Sequence, residues 1–258
     1  MNNRRRCIEK EVTSSTSKGK SSKRKLTDKI EKKAVRRRKY SMDLRIHSPS
    51  SLGYLGIAGV DTANALVRLA KIKGLDTIAL TDFYSGDFVD EVKEAASSFD
   101  LRIIPGTVIR GSVSGCSDVI LACLFPEECK GESVNKFLNA LHVSEKHFGD
   151  ERYLVELPFE RILSIVDKYS AVAIPSRMDK TPYRMAAIPT LVEDYGFRAF
   201  DLAYGDSESY FKNRWPKINF QLFGFSNSQA LAQIGSRIAK VKMSAPGFQG
   251  IQELVARA

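Results

Sequence analysis

The stretch SMDLRIHSPSSLGYLG, residues 41–56, marks the point where a basic, serine-rich segment gives way to a patterned chain. Its apolar alternation ends among polar residues, which puts Asp43, Arg45 and His47 at the close of a predicted strand. Outward from it, short β-rich runs alternate with helical patterns. MDLRI, LDTIALT, LRIIPG, DVILACLF, AVAIPS, AFDLAY and INFQLFGFS read as strands. DTANALVRLAKIKG reads as a helix capped by Asp61 or Thr62 and ended by Gly74. GDFVDEVKEAASSF, most of residues 131–169, MAAIPTLVEDYG, SNSQALAQIGS and FQGIQELVARA supply the other helical patterns. The alternation predicts a parallel sheet flanked by helices, and strands apolar on both faces favour a closed barrel over an open sheet. No glycine-rich phosphate loop follows the first strand, which argues against a dinucleotide fold.

Charge divides the chain. Residues 1–40 hold 16 Lys+Arg against 4 Asp+Glu, a net +12, and residues 41–258 hold 24 against 26, a net −2. The first segment has too few large apolar residues to offset the entropy of ordering, so a disordered basic tail over 1–40 is expected, with a short transient helix over 25–39. Such an arm neutralises phosphates and releases counterions, which makes nucleic acid or another polyanion its natural partner. A solubilising extension is the alternative, and Met42 offers a start that omits it. No apolar run is long enough to span a membrane, and with a charged N-terminus the expectation is a cytoplasmic protein. Cys7, Cys116, Cys123 and Cys129 lack zinc-site spacing and read as free thiols.

The strand ends, taken in order, are DLRIHSPSS (43–51), IALTDFYSG (78–86), IIPGTVI (103–109), VILACLFP (119–126), AIPSRMDK (173–180) and GFSNSQALAQIG (224–235). That series resembles the PHP superfamily, named for polymerase and histidinol phosphatase. The resemblance implies a distorted seven-stranded (β/α) TIM-like barrel over residues 41–258 and, in typical members, metal-dependent phosphoesterase activity. It also implies where ligands should stand. His47 and Asp82 keep ligand residues, whereas Arg45, Phe83, Val108 and Arg177 replace them, Ile120 stands near a lost histidine, and Asn227 and Gln229 replace Asp and His.

The replacements decide the chemistry. Arginine stays protonated and has no lone pair for a metal, and valine cannot bridge two ions. The first expectation is therefore a catalytically degenerate, metal-free scaffold. In it Arg45, His47, Asp82, Arg177, Asn227 and Gln229 form an anion site for a phosphorylated small molecule, or a surface for nucleic acid or protein. The alternative is a surviving phosphoesterase with one zinc or manganese held by Asp43, His47, Asp82 and Asp179. Buried His47 satisfied by Asp43 or a carbonyl is the plain structural reading. Lys180 and Arg184 either extend the anion site or are solvated. Tyr210, Phe211 and Trp215 either stack on a base or pack a crossover. His142 and His147 fall in a helical stretch well away from any strand end. No serine sits in a nucleophile elbow.

Overall fold

The computed structural model describes residues 37–258. The expected disorder of the basic tail and the larger part of the predicted 25–39 helix lie outside the described residues. Within them, the chain runs β1 (Arg38–Ile46), α1 (Thr62–Ile72), β2 (Thr77–Phe83), α2 (Val89–Ala95), β3 (Arg102–Val113), β4 (Cys116–Leu124), α3 (Gly131–Ala140) and α4 (Phe159–Lys168). It continues through β5 (Val172–Pro175), α5 (Pro182–Met185), α6 (Ile188–Glu193), β6 (Ala199–Asp201), α7 (Glu208–Arg214), β7 (Gln221–Phe223), β8 (Ala239–Met243) and α8 (Phe248–Val255).

All seven predicted strands form, and an eighth, β8, joins them. Six make one curled sheet in the order β5-β4-β3-β2-β1-β8, and β6 and β7 pair in parallel as a second. A fully parallel sheet is not what the chain builds. β1, β2 and β3 run parallel, but β3–β4, β4–β5 and β1–β8 are antiparallel. The physical reason for the first departure is the Ser114–Gly115 turn: Gly115 takes φ +78°, so β3 folds straight back into β4 without a crossover helix. Ser176, just past β5, bridges Asp201 of β6, and Ile46 of β1 bridges Ser228 in the loop after β7.

Burial follows the sequence pattern. Leu44, Ala79, Ile104, Leu124, Ile174, Ala199 and Phe223, one from each of β1 to β7, share a single apolar cluster, and Phe248, Ile251 and Val255 of α8 join it. β2 is buried along its whole length because α1 and α2 cover its other side through Leu66, Val67, Val89 and Val92. Asp61 caps α1 by accepting from the Asn64 N–H (3.1 Å), and Gly74 at φ +71° ends it. SNSQALAQIGS does not become a regular helix. Only Leu231–Gln233 makes a 3-10 turn, since Ser226 and Asn227 spend their side chains on β1.

The strand boundary also shifts. Arg38, Lys39 and Tyr40, assigned to the tail and in part to the transient helix, lie in β1 and pair with Met243, Lys242 and Val241. Tyr40 packs on the shared cluster, and Ser41 N–H donates to the Asp76 carboxylate (2.7 Å). A chain begun at Met42 therefore loses four of the five β1–β8 pairs. We expect it to be less stable than a chain begun at Arg37 by about 3 kcal/mol, from several hydrogen bonds at about 1 kcal/mol each and part of a tyrosine face. Urea titration of the two truncations checks this.

Candidate anion-binding cleft

Strand ends, the 147–153 loop and α5 enclose a cleft of about 190 Å³ lined by Arg45, Phe83, Arg110, Ile120, Glu151, Arg152, Arg177, Lys180, Arg184, Asn227 and Gln229. Six of these are cations, with Glu151 as the acid on the wall, in a body whose net charge is −2.

Arg45, at the end of β1, is 1% exposed. Its Nη1 donates to Ser176 Oγ, and the Ser176 hydroxyl donates in turn to Asp201. Its Nη2 donates to Asn227 Oδ1 (2.6 Å), and its Nε–H is buried without a partner among the described residues. Burial lowers its pKa to about 10, partly offset by Asp201, so it remains a cation at neutral pH. The same burial raises the Asp201 carboxyl, against the opposing pull of Arg45 and of the Ser176 hydroxyl and Phe225 N–H bonds.

The wall charges are partly balanced. Asp118 accepts from Arg110 Nε (2.9 Å) and Nη2 (2.6 Å) and from Arg184 Nε (2.7 Å), and so holds two guanidinium groups side by side. Arg184 is thus fixed in the wall, 14% exposed at its side chain, and is not a freely solvated charge. Arg152, Arg177 and Lys180 make no ion pair among the described residues. Arg177 takes φ +53°, a region costly for an L side chain, and is held there by its own N–H to the Asp201 carbonyl (2.6 Å). Asn227 is at φ +53° as well.

His47 lies beneath this cleft, fully buried and stacked on Phe83 with centroids 5.1 Å apart. Its Nδ1 is 3.2 Å from Ser51 Oγ, whose single proton goes to Asp82 at 2.6 Å, so Nδ1–H donates and Nε2 is left a lone-pair nitrogen without a partner among the described residues. Ser51, rather than Asp43 or a carbonyl, satisfies this histidine. Burial and the Arg45 charge lower its pKa to about 3, with the Asn227 amide acting the other way.

The proposed metal ligands are brought near the floor but are otherwise engaged. Asp82 accepts from Ser48 N–H (2.7 Å), Ser48 Oγ (2.6 Å) and Ser51 Oγ. Asp43 accepts from Ser226 N–H (3.2 Å), Ser226 Oγ and Gly235 N–H (3.2 Å). Asp179 holds the Ala203 (2.7 Å) and Tyr204 (2.8 Å) N–H groups. Burial raises the Asp43 and Asp82 carboxyls despite these bonds. Among the described residues no three His, Cys, Asp or Glu side chains gather as an ion would need, and this donor set does not fit zinc or manganese.

The 147–153 segment is not remote from the strand ends: Gly149 N–H donates to the Phe83 carbonyl (2.8 Å) and its carbonyl accepts from Leu52 N–H. Gly149 is required there, at φ +79° with the Ser50 carbonyl 2.5 Å from where a Cβ would stand. The turn delivers Glu151 and Arg152 to the cleft, while His147 stacks on Tyr153 and His142 ends the helix before it, neither lining the cleft. Phe211 is fully buried, and Tyr210 and Trp215 pack around it, so this trio packs a crossover and does not line the cleft. Arg110, Arg152 and the counter-charges Asp118 and Asp201 were not singled out by sequence. Arg110 sits past the predicted end of its strand, and no spacing signal marks Arg152.

No family model matches the chain, and no curated protein matches it. Among solved structures, a lesion-specific endonuclease from Pyrococcus furiosus superposes with a TM-score of 0.59 at 15% identity over 84% of this chain. Endonuclease Q in complex with a 27-mer duplex carrying an abasic lesion gives 0.58 at 13% over the same share. The chain spans 56% of the length of each of these. A candidate metal-dependent phosphoesterase from Bifidobacterium adolescentis gives 0.52 at 13%, covering 83% of this chain and 94% of its own. No helix among the described residues is long and apolar enough to cross a membrane. What this chain shares with these proteins is its fold.

Proposed function

We propose that the two sheets close into one distorted PHP-type barrel of seven strands, with β8 added outside, and that its cleft binds a phosphate or phosphate ester without a metal ion. The observation that carries this is the convergence of six cations on one small cleft in a body of net negative charge. In this reading Arg45 supplies fixed charge at the floor, and Arg152, Arg177 and Lys180, which make no ion pair among the described residues, supply the groups that meet the ligand. Guanidinium forks match two phosphoryl oxygens with parallel, charge-assisted hydrogen bonds. Asn227 and Gln229 add polar contacts at the rim. The chain is then a pseudo-phosphoesterase, a binding scaffold with nothing to activate water.

Titration with inorganic phosphate and with a mononucleotide, followed calorimetrically at low salt, tests it. Arg177→Ala and Lys180→Ala each remove one charged contact and should weaken binding by about tenfold or more. Wild-type affinity in both variants, or hydrolysis of a model phosphodiester by the metal-supplemented protein that disappears in His47→Ala, overturns the reading. Protein purified without chelator should carry less than about a tenth of an equivalent of zinc or manganese.

His47 acts in this reading as a neutral buried group, which gives a pH signature. Its folded pKa of about 3 lies below its ordinary 6.5, so the unfolded chain takes up the proton first as pH falls. The stability it contributes is complete above pH 6.5 and is lost on acidification toward pH 3, at about 1.4 kcal/mol per unit. The raised Asp43, Asp82 and Asp201 carboxyls act in the opposite sense, so the difference between wild type and His47→Gln isolates the histidine. That difference should turn against the wild type below pH 6.5 in denaturant titrations at stepped pH.

A further inference from the structure

The ribbon made by β1 and β8 has two unlike faces. Arg38, Tyr40 and Met42 pair with Met243, Val241 and Ala239, and all of these but Arg38 pack on the shared apolar cluster. The alternate residues, Lys39 and Ser41 opposite Lys242 and Lys240, point the other way, and Arg37 stands at the entrance. Arg37, Lys39, Lys240 and Lys242 are exposed and make no ion pair among the described residues. Asp76, whose carboxylate takes the Ser41 N–H, is the acid bonded to the ribbon.

Lys39 faces Lys242 directly, and like charges in opposed positions destabilise a strand pair. Protection of the β8 edge from pairing explains lysine on β8, but not a cation on the strand opposite, where an acid would protect and also attract. The arrangement is suited to an anion that repeats. Same-side residues stand roughly 6.7 Å apart along a strand and about 5 Å across the pair, so several phosphates of one backbone are reached together. The outward face carries no aromatic ring or amide, hence nothing to stack on or read a base. A two-stranded ribbon fits the major groove of a duplex. Lys39 lies about 20 Å along β1 from Arg45, so this surface is separate from the cleft.

We propose that the outward face of the β1–β8 ribbon is a backbone-reading surface for duplex nucleic acid, independent of the cleft. The test uses the full chain, so that residues 1–36 contribute equally to every variant. Binding of a 20-base-pair DNA duplex is measured by fluorescence anisotropy over a salt series. Lys39, Lys240 and Lys242 are replaced together by alanine, and the control replaces the exposed Lys136, Lys168 and Lys212. The ribbon variant should flatten the salt slope by about 3 and lose at least about tenfold in affinity at 100 mM salt, while the control matches wild type. Its unfolding midpoint should not fall, since the opposed lysines are gone. Equal losses in both variants would assign the effect to net charge alone. No loss in the ribbon variant, or loss of phosphatidylserine-vesicle binding with duplex binding intact, would likewise overturn the proposal. Duplex binding lost only in Arg177→Ala/Lys180→Ala would place the nucleic acid in the cleft instead.

Discussion

Arg45 is where fold and cleft become one problem. The β6–β7 sheet shares the apolar cluster of the larger sheet, and among the described residues its backbone ties to it are the Ser176–Asp201 bridge and, in the loop after β7, the Ile46–Ser228 bridge. The buried guanidinium spans both seams, reaching Ser176 and through it Asp201 on one side and Asn227 on the other. A charge removed from water in this way holds its partners tightly, because losing one leaves the other unpaired at a cost of several kcal/mol. The same charge lowers the His47 pKa and opposes the upward pull of burial on Asp201.

The strands were legible because they are apolar on both faces, and the strand-end positions of Arg45, Arg177, Asn227 and Gln229 followed from them. What sequence could not show was tertiary. The pattern LRIIPG ends at Gly106, yet β3 runs on to Val113: Gly106 is no breaker there, since the Leu80 and Cys123 carbonyls press close and no Cβ fits. That extension is what carries Arg110 into the cleft. AKVKM carries no strand signal because alternate lysines dilute its apolar character, and its pairing with β1 depends on residues two hundred positions away. Asp118 and Asp201 are ordinary acids in sequence, and they matter only because the fold sets them against arginines.

On the PHP-like reading, arginine at 45 and 177 does more than leave metal ligands out. A metal centre collects negative and neutral donors around an imported cation, and the carboxylates must be free to face it. Here Asp43, Asp82 and Asp179 are each committed to protein N–H and O–H donors, and the cations are built in. Under the proposed reading the polarity of the site is preserved while its source changes, from an exchangeable ion to side chains that cannot lose their charge.

Built-in charge has a consequence that an ion does not. An empty metal site relaxes by protonating its ligands, whereas here the cationic side chains of Arg152, Arg177 and Lys180 line one small cleft together. Asp118 screens Arg110 and Arg184, and Asp201 lies behind Arg45, yet no acid pairs with the other three among the described residues. Part of the fold's stability is therefore set against this repulsion and against the left-handed backbone at Arg177 and Asn227. Under the proposed reading an anion in the cleft relieves the first without touching the second, and by mass action whatever binds only the folded chain stabilises it. On this argument occupancy and stability are coupled through the same three side chains, and the fold is least stable when nothing occupies the cleft.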